Sequence, residues 1–329
     1  LICMIICLDL VTETDGMPRL AFRLFYILEA SVKRITTLQI QQKKANNEKI
    51  VMLTAYDALS ATLAEQAGID ILLVGDSLGM VVLGYDSTVP VSIEDIIHHT
   101  KPVVDSTSFA HVVADMPFGS YQAGWKDAMR NAVHIMKSTG ASSIKLEGGK
   151  RVAKSVEKLV NAGIPVMGHI GLTPQSVNTL GGYKIQGKTP RSAVKLIADA
   201  KALEEAGAYA VVLETIPAAL SHMITSRLNI PTIGIGAGPY CSGQVQVFHD
   251  ILGLYKDFNP KHARQFINGS NVLTNAIKEY KVAVEDSNFP TADESFFMEE
   301  RNIKLINSMM ENEPVIKTMQ DTSIIQKNE

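Results

Sequence analysis

The 329-residue chain contains only three cysteines, Cys3, Cys7 and Cys241. Two of them share one short N-terminal stretch, so neither a disulfide framework nor the spacing of a structural zinc site can be drawn, and a reducing compartment is expected. Charge of one sign is equally scarce in excess: 31 Lys and Arg stand against 34 Asp and Glu, a net charge of −3. That leaves no basic surplus for nucleic acid or an anionic membrane surface. No apolar run reaches the roughly 18 residues that a membrane-spanning helix needs. A dinucleotide-type G-x-G-x-x-G after the first strand is missing too, because "GIGAG" (234–238) lies after the seventh.

What is present is a rhythm. With 46% hydrophobic and 20% charged residues, the chain can bury one large core of about 250 residues or two smaller ones. From about residue 51, short apolar runs alternate with helix-like stretches. The runs are "VMLTA" (51–55), "DILLV" (70–74), "HVVA" (111–114), "SSIK" (142–145), "IPVMG" (164–168), "YAVVL" (209–213) and "PTIGI" (231–235). Between them lie periodic stretches at 57–68, 125–140, 151–163 and 191–207, several closing on glycine, a helix stop signal. Strands buried on both faces and alternating with helices predict a parallel sheet. With an eighth strand expected near "VFHDILGL" (247–254), the count fits an α/β fold, a (β/α)₈ TIM barrel, better than an open doubly wound sheet.

A barrel carries its chemistry at the C-terminal ends of its strands. Those ends deliver Asp76 and Ser77, then Asp115, Lys145 with Glu147, His169 and Glu214. Alternation along a strand points Lys145 and Glu147 to one face. Alone, the pair reads as a solvated ion pair worth about 0–1 kcal/mol; ionisable side chains at five successive strand ends instead converge on one mouth. Asp76, Asp115 and Glu147 are hard oxygen ligands that suit Mg²⁺ better than zinc. A lysine beside the metal neutralises a substrate carboxylate, and a more distant glutamate serves as base. The chemistry indicated is carbon–carbon bond making or breaking through a Mg-stabilised enolate of an α-keto acid. Lys145 as a Schiff-base nucleophile is the competing assignment. His169 reads as a ring hydrogen-bonded at its strand end and stays outside the catalytic set. Tyr56 and Asp57 read as structural, Asp57 as a helix N-cap.

These strings resemble the ketopantoate hydroxymethyltransferase family over roughly residues 37–297. They include "LTAYD", "LLVGDSLGM", "GYDST", "ADMPFGSY", "IKLEGG", "GHIGLTPQS", "GGYKIQG", "LETIP", "PTIGIGAG" and "FPTADESFF". "MPFGS" and the leading extension are most similar to the fungal form. The resemblance implies that Asp76 and Asp115 bind Mg²⁺ directly, with Glu147 joining through the metal's shell or a bound water. It implies that Ser77 and Lys145 hold the keto acid with the two aspartates, and that Glu214 is the proton acceptor. The implied reaction transfers a hydroxymethyl group from 5,10-methylenetetrahydrofolate to 3-methyl-2-oxobutanoate, giving 2-dehydropantoate for pantothenate biosynthesis. A homo-oligomer, a decamer, is implied as well. The segments "KPVVDSTSF" (101–109) and "GPYCSGQ" (238–244) depart from the family pattern, which bears on folate or subunit contacts. The alternatives are a Mg-dependent lyase or mutase of the phosphoenolpyruvate mutase and isocitrate lyase type, and a non-catalytic barrel scaffold.

The flanks complete the expected organisation: an extension at 1–36, the barrel at 37–297 and a polar tail at 298–329, frayed or disordered. "LICMIICLDLV" has no basic residue before it and makes a poor signal peptide. From Met17, Arg19, Arg23, Lys33 and Arg34 stand against Glu29 alone, which resembles a mitochondrial targeting segment, with an ordinary extra helix in a cytoplasmic protein as the alternative.

Overall fold

A computed structural model of the protein describes residues 34–255 and 260–312. The targeting-like segment up to residue 33 and the tail from 313 lie outside the described residues. Eight parallel strands close into a barrel in chain order. They are β1 (Ile50–Thr54), β2 (Ile71–Val74), β3 (His111–Asp115), β4 (Ser143–Glu147), β5 (Val166–Gly171), β6 (Ala210–Glu214), β7 (Thr232–Ile235) and β8 (Gly243–Gln246). Helices follow most strands and cover the outside. In Lys150–Asn161 the buried residues are Val152, Ser155, Val156 and Leu159, the spacing of one helix face.

The eighth strand corrects the expectation of 247–254: it is Gly243–Gln246, and Phe248–Ile251 forms a single helical turn. "GQVQ" alternates buried with half-buried positions instead of forming an apolar run. Gly243 pairs with Ile50, and a Cβ there would lie 2.3 Å from the Ile50 carbonyl oxygen, so glycine is what lets β8 seal against β1.

Side chains of alternate strand residues fill the barrel in layers. Met52, Ile71, Leu73, Val113, Met167, Val212, Ile233 and Val245 form one buried apolar cluster, each contributing about 1.5–3 kcal/mol of transfer free energy. At the N-terminal end the plug is partly polar: His111 Nε2 lies 2.8 Å from Ser143 Oγ, which lies 2.9 Å from Tyr209 OH. The helix Thr37–Ala45 packs Ile40 into this end. Arg34 and Lys44 fasten it there, Arg34 donating to the carbonyls of Ala110 and Thr107 at 2.7 Å and Lys44 to that of Leu228 at 2.7 Å.

A second compact unit begins at Gly269, inside the span expected for the barrel. It contains the helices Gly269–Glu285 and Glu300–Asn312. The second of these lies within the stretch expected as a frayed or disordered polar tail; Ile303, Ile306 and Met310 recur at helical spacing along it.

Candidate active site

The register of neighbouring strands assembles the site. Asp115 pairs with Lys145, Glu147 with His169, and Gly171 with Glu214, which sets these side chains side by side at the C-terminal mouth. Asp76 and Ser77 follow β2. All six expected residues, Asp76, Ser77, Asp115, Lys145, Glu147 and Glu214, line one cavity of about 780 Å³, and His169 lines it with them.

Lys145 and Glu147 are not a solvated pair, for they are 4% and 1% exposed. Lys145 Nζ sits 2.9 Å from Asp115 Oδ2 and 3.9 Å from Glu147 Oε1. Burial works against the ammonium, but Asp115, then Glu147 and Asp76, outweigh it and hold Lys145 charged above the ordinary lysine range. A lysine held this way is a poor Schiff-base nucleophile.

Each carboxylate has one oxygen tied down. Asp115 Oδ2 accepts from Lys145 and from the Asp76 backbone N–H at 3.1 Å. Glu147 Oε2 accepts from the Gln175 N–H at 3.1 Å, and Asp76 Oδ2 from Gln175 Nε2 at 2.8 Å. Asp115 Oδ1 and Glu147 Oε1 are buried without a hydrogen bond. Burial pushes the carboxyls of Asp76 and Asp115 up; at Asp76 the charges of Asp115 and Glu147 add to it, whereas at Asp115 the Lys145 charge opposes. At Glu147 burial is outweighed by His169, Lys145 and the Gln175 N–H, which hold it below its ordinary range.

Three carboxylates around one lysine leave negative charge that a divalent cation would balance, and the two buried free oxygens suit an oxygen-seeking ion. Among the described residues, however, no three Asp, Glu, His or Cys side chains are arranged to hold a metal by themselves. The physical reason is Lys145, whose ammonium stands between Asp115 and Glu147. Asp76 and Asp115 would hold such an ion with water completing its shell, and Glu147, whose Oε1 is 3.9 Å from the lysine, would join through a bound water.

Three residues of this site escaped the sequence. His169 Nδ1 lies 3.4 Å from Glu147 Oε1, and its Nε2 lies 3.1 Å from Glu214 Oε2, an ionic contact off the hydrogen-bond axis. Burial and Lys145 disfavour its charge, but Glu147 and Glu214 prevail and push the imidazole up to about 9. Strand parity was the signal: in the β4–β5 register His169 stands beside Glu147. Gln175 lies in the single 3₁₀ turn Pro174–Ser176 and Tyr121 on a loop, where periodicity gives no signal. Tyr56, read as structural, holds Ser77 Oγ at 2.8 Å from its hydroxyl, while Asp57 caps its helix by accepting from the Ser60 N–H at 2.6 Å.

A closed (β/α)₈ barrel with this ring of carboxylates, lysine and imidazole around one mouth cavity belongs to the TIM-barrel enzymes. Among solved structures it resembles a phosphoenolpyruvate phosphomutase from Streptomyces platensis subsp. rosaceus, with TM-score 0.54 and 14% identity over 84% of this chain and 96% of that one. It also resembles a phosphonopyruvate hydrolase in complex with oxalate and Mg²⁺, with TM-score 0.51 and 14% identity over 84% and 97%. Identities this low carry the fold alone. Sequence comparison goes further. The family model described as ketopantoate hydroxymethyltransferase matches residues 34–292. The 3-methyl-2-oxobutanoate hydroxymethyltransferase of Carboxydothermus hydrogenoformans is 55% identical over 265 residues, covering 80% of this chain and 96% of the relative. That of Moorella thermoacetica is 52% identical over 267 residues, covering 81% and 99%. The chain belongs to the ketopantoate hydroxymethyltransferase family and is an enzyme of that family.

Proposed function

We propose that this enzyme transfers a hydroxymethyl group from 5,10-methylenetetrahydrofolate to 3-methyl-2-oxobutanoate, giving 2-dehydropantoate. The observation that carries the proposal is the convergence of Asp76, Asp115, Lys145, Glu147 and Glu214 on one cavity in a chain of this family. Mg²⁺ held by Asp76 and Asp115 would supply Lewis-acid polarisation of the keto carbonyl. Lys145, kept charged by its carboxylate neighbours, faces the substrate carboxylate, and Ser77, fixed by Tyr56, orients it. Glu214 takes the proton from C3, and His169, 3.1 Å from its carboxylate, orients that base and balances its charge. C3 bonds to the methylene carbon of the donor, both carbon–nitrogen bonds of that methylene break, water supplies the hydroxyl group, and the two folate nitrogens take up the proton removed from C3 and the second proton of water.

A homo-oligomeric assembly, the decamer implied by resemblance, and a mitochondrial address belong to the same proposal. The relatives described above are bacterial and lend the address no support.

The test is proton NMR of 3-methyl-2-oxobutanoate in D₂O with enzyme and Mg²⁺, followed by addition of tetrahydrofolate and formaldehyde. Loss of the C3 proton signal that requires both Mg²⁺ and Glu214, then appearance of 2-dehydropantoate, is expected. A folded enzyme giving neither exchange nor product overturns the assignment.

A further inference from the structure

The cavity of about 780 Å³ has the size that takes a drug-sized ligand rather than a five-carbon acid alone. Beyond the charged residues already named, the cavity is lined by residues that follow Ser77 after β2 and by the segment after β8. Phe248 N–H donates to Thr54 Oγ1 at 2.9 Å, pinning the turn Phe248–Ile251 to the end of β1. Tyr255 OH donates to the Val81 carbonyl at 2.5 Å and joins the two segments. Met80, Val81, Tyr85 and Tyr255 give these segments apolar and aromatic surface.

Asp250 and Thr88 are among the polar lining groups that the chemistry described so far does not use. Asp250 lines the cavity, is half-buried, and its carboxylate makes no hydrogen bond or ion pair among the described residues. Burial raises its carboxyl above the ordinary range, with the charge of His262 opposing. Thr88 also lines the cavity, is 3% exposed, and its hydroxyl has no hydrogen-bond partner among the described residues. A half-buried carboxylate without a partner, in a cavity that also carries aromatic faces, matches a flat ligand with two neighbouring N–H donors on one edge.

We propose that Asp250 anchors the pterin ring of the folate co-substrate, accepting from its N3–H and 2-amino groups, with Tyr85 and Tyr255 flanking the ring and Thr88 as an additional polar contact. The proposal rests on the assignment of 5,10-methylenetetrahydrofolate as the one-carbon donor. The 2-amino-4-oxo edge of the reduced pterin carries those two donors side by side, and a carboxylate meets them with two acceptors in a fork. Aromatic faces supply the remaining contact area. The ring would then share one cavity with Glu214 and the keto acid, with its one-carbon unit turned toward them.

The experiment is calorimetric titration of tetrahydrofolate and, separately, of 3-methyl-2-oxobutanoate with Mg²⁺, into the wild type, Asp250→Asn and Asp250→Glu. Asn replaces one acceptor with a donor facing the pterin's own donors, so Asp250→Asn should weaken tetrahydrofolate about 10- to 100-fold. Asp250→Glu, which keeps both acceptors, should weaken it less. A 2-desamino tetrahydrofolate should bind the wild type more weakly than tetrahydrofolate does, and Asp250→Asn should largely lose that discrimination. Equal tetrahydrofolate affinity in wild type and Asp250→Asn overturns the proposal. So does a parallel loss of keto-acid affinity, which would make Asp250 a support of the mouth. If the wild type binds the keto acid but not tetrahydrofolate, the donor assignment fails, and the anchoring role fails with it.

Discussion

Gln175 Nε2 donates to Asp76 Oδ2 at 2.8 Å, joining residues 99 positions apart in the chain. The same amide donates to the Met116 carbonyl at 2.9 Å, and its oxygen accepts from Tyr121 OH at 2.6 Å. Tyr121 thereby fixes which way the amide faces, and Gln175 ties down one oxygen of Asp76, leaving the other for the proposed Mg²⁺. Second-sphere partners of this kind are typically worth 10- to 100-fold in metal affinity.

Gln175→Leu is therefore expected to weaken Mg²⁺ or Mn²⁺ binding about 10- to 100-fold, and Tyr121→Phe to weaken it less. Titration of Mn²⁺ followed by electron paramagnetic resonance reads this without turnover. Wild-type Mn²⁺ affinity in Gln175→Leu would remove Gln175 from the metal's support.

Glu214→Gln keeps shape while removing the base, so kcat should fall about 10²- to 10⁴-fold with keto-acid affinity retained. Asp115→Ala should do the reverse and weaken metal-dependent keto-acid binding itself. Steady-state kinetics with direct binding measurements separate the two; normal keto-acid affinity in Asp115→Ala would contradict its place as a ligand.

Lys145 is held as an ammonium by Asp115, 2.9 Å away. Sodium borohydride added in the presence of 3-methyl-2-oxobutanoate should leave it unmodified by peptide mass spectrometry. A reduced adduct on Lys145 would restore the Schiff-base route.

Burial lowers His111 to about 4 from 6.5; the Ile35 carbonyl, 2.8 Å from Nδ1, opposes this and the charge of Arg34 adds to it. The unfolded chain takes up a proton near 6.5, whereas the folded chain takes one up only near 4. Stability contributed at neutral pH is thus lost as pH falls through that window, by about 3 kcal/mol when complete. Urea unfolding at pH 7 and pH 5 should show a smaller drop in His111→Gln than in wild type. An identical drop would assign the acid sensitivity to other groups.

Much of the barrel is legible in the sequence because its strands are continuous apolar runs and its helices end on glycine. β8 was not, because Gln244 and Gln246 break the run and Gly243 is chosen for close approach to Ile50 rather than for hydrophobicity. In the site, strand parity and end position bring Asp115, Lys145, Glu147 and Glu214 into view. His169 was set aside because a lone histidine at a strand end has an ordinary structural explanation; only the neighbouring strand's register gives it Glu147 and Glu214 as companions. Gln175 lies in a single 3₁₀ turn and Tyr121 in a loop, and the placement of such short segments depends on long-range contacts that no local spacing encodes.

Gly171, the last residue of β5, stands at φ 99°, and a Cβ on it would lie 2.2 Å from the Glu214 carbonyl oxygen. The position of Glu214 is therefore set by contact between two main chains, which surface substitutions do not reach. Sequence drift in the outer helices can be extensive before Glu214 moves, while a single methyl group at Gly171 displaces it at once. Mutational tolerance in this enzyme should be graded by distance from that contact, and a library that varies Gly171 will return glycine.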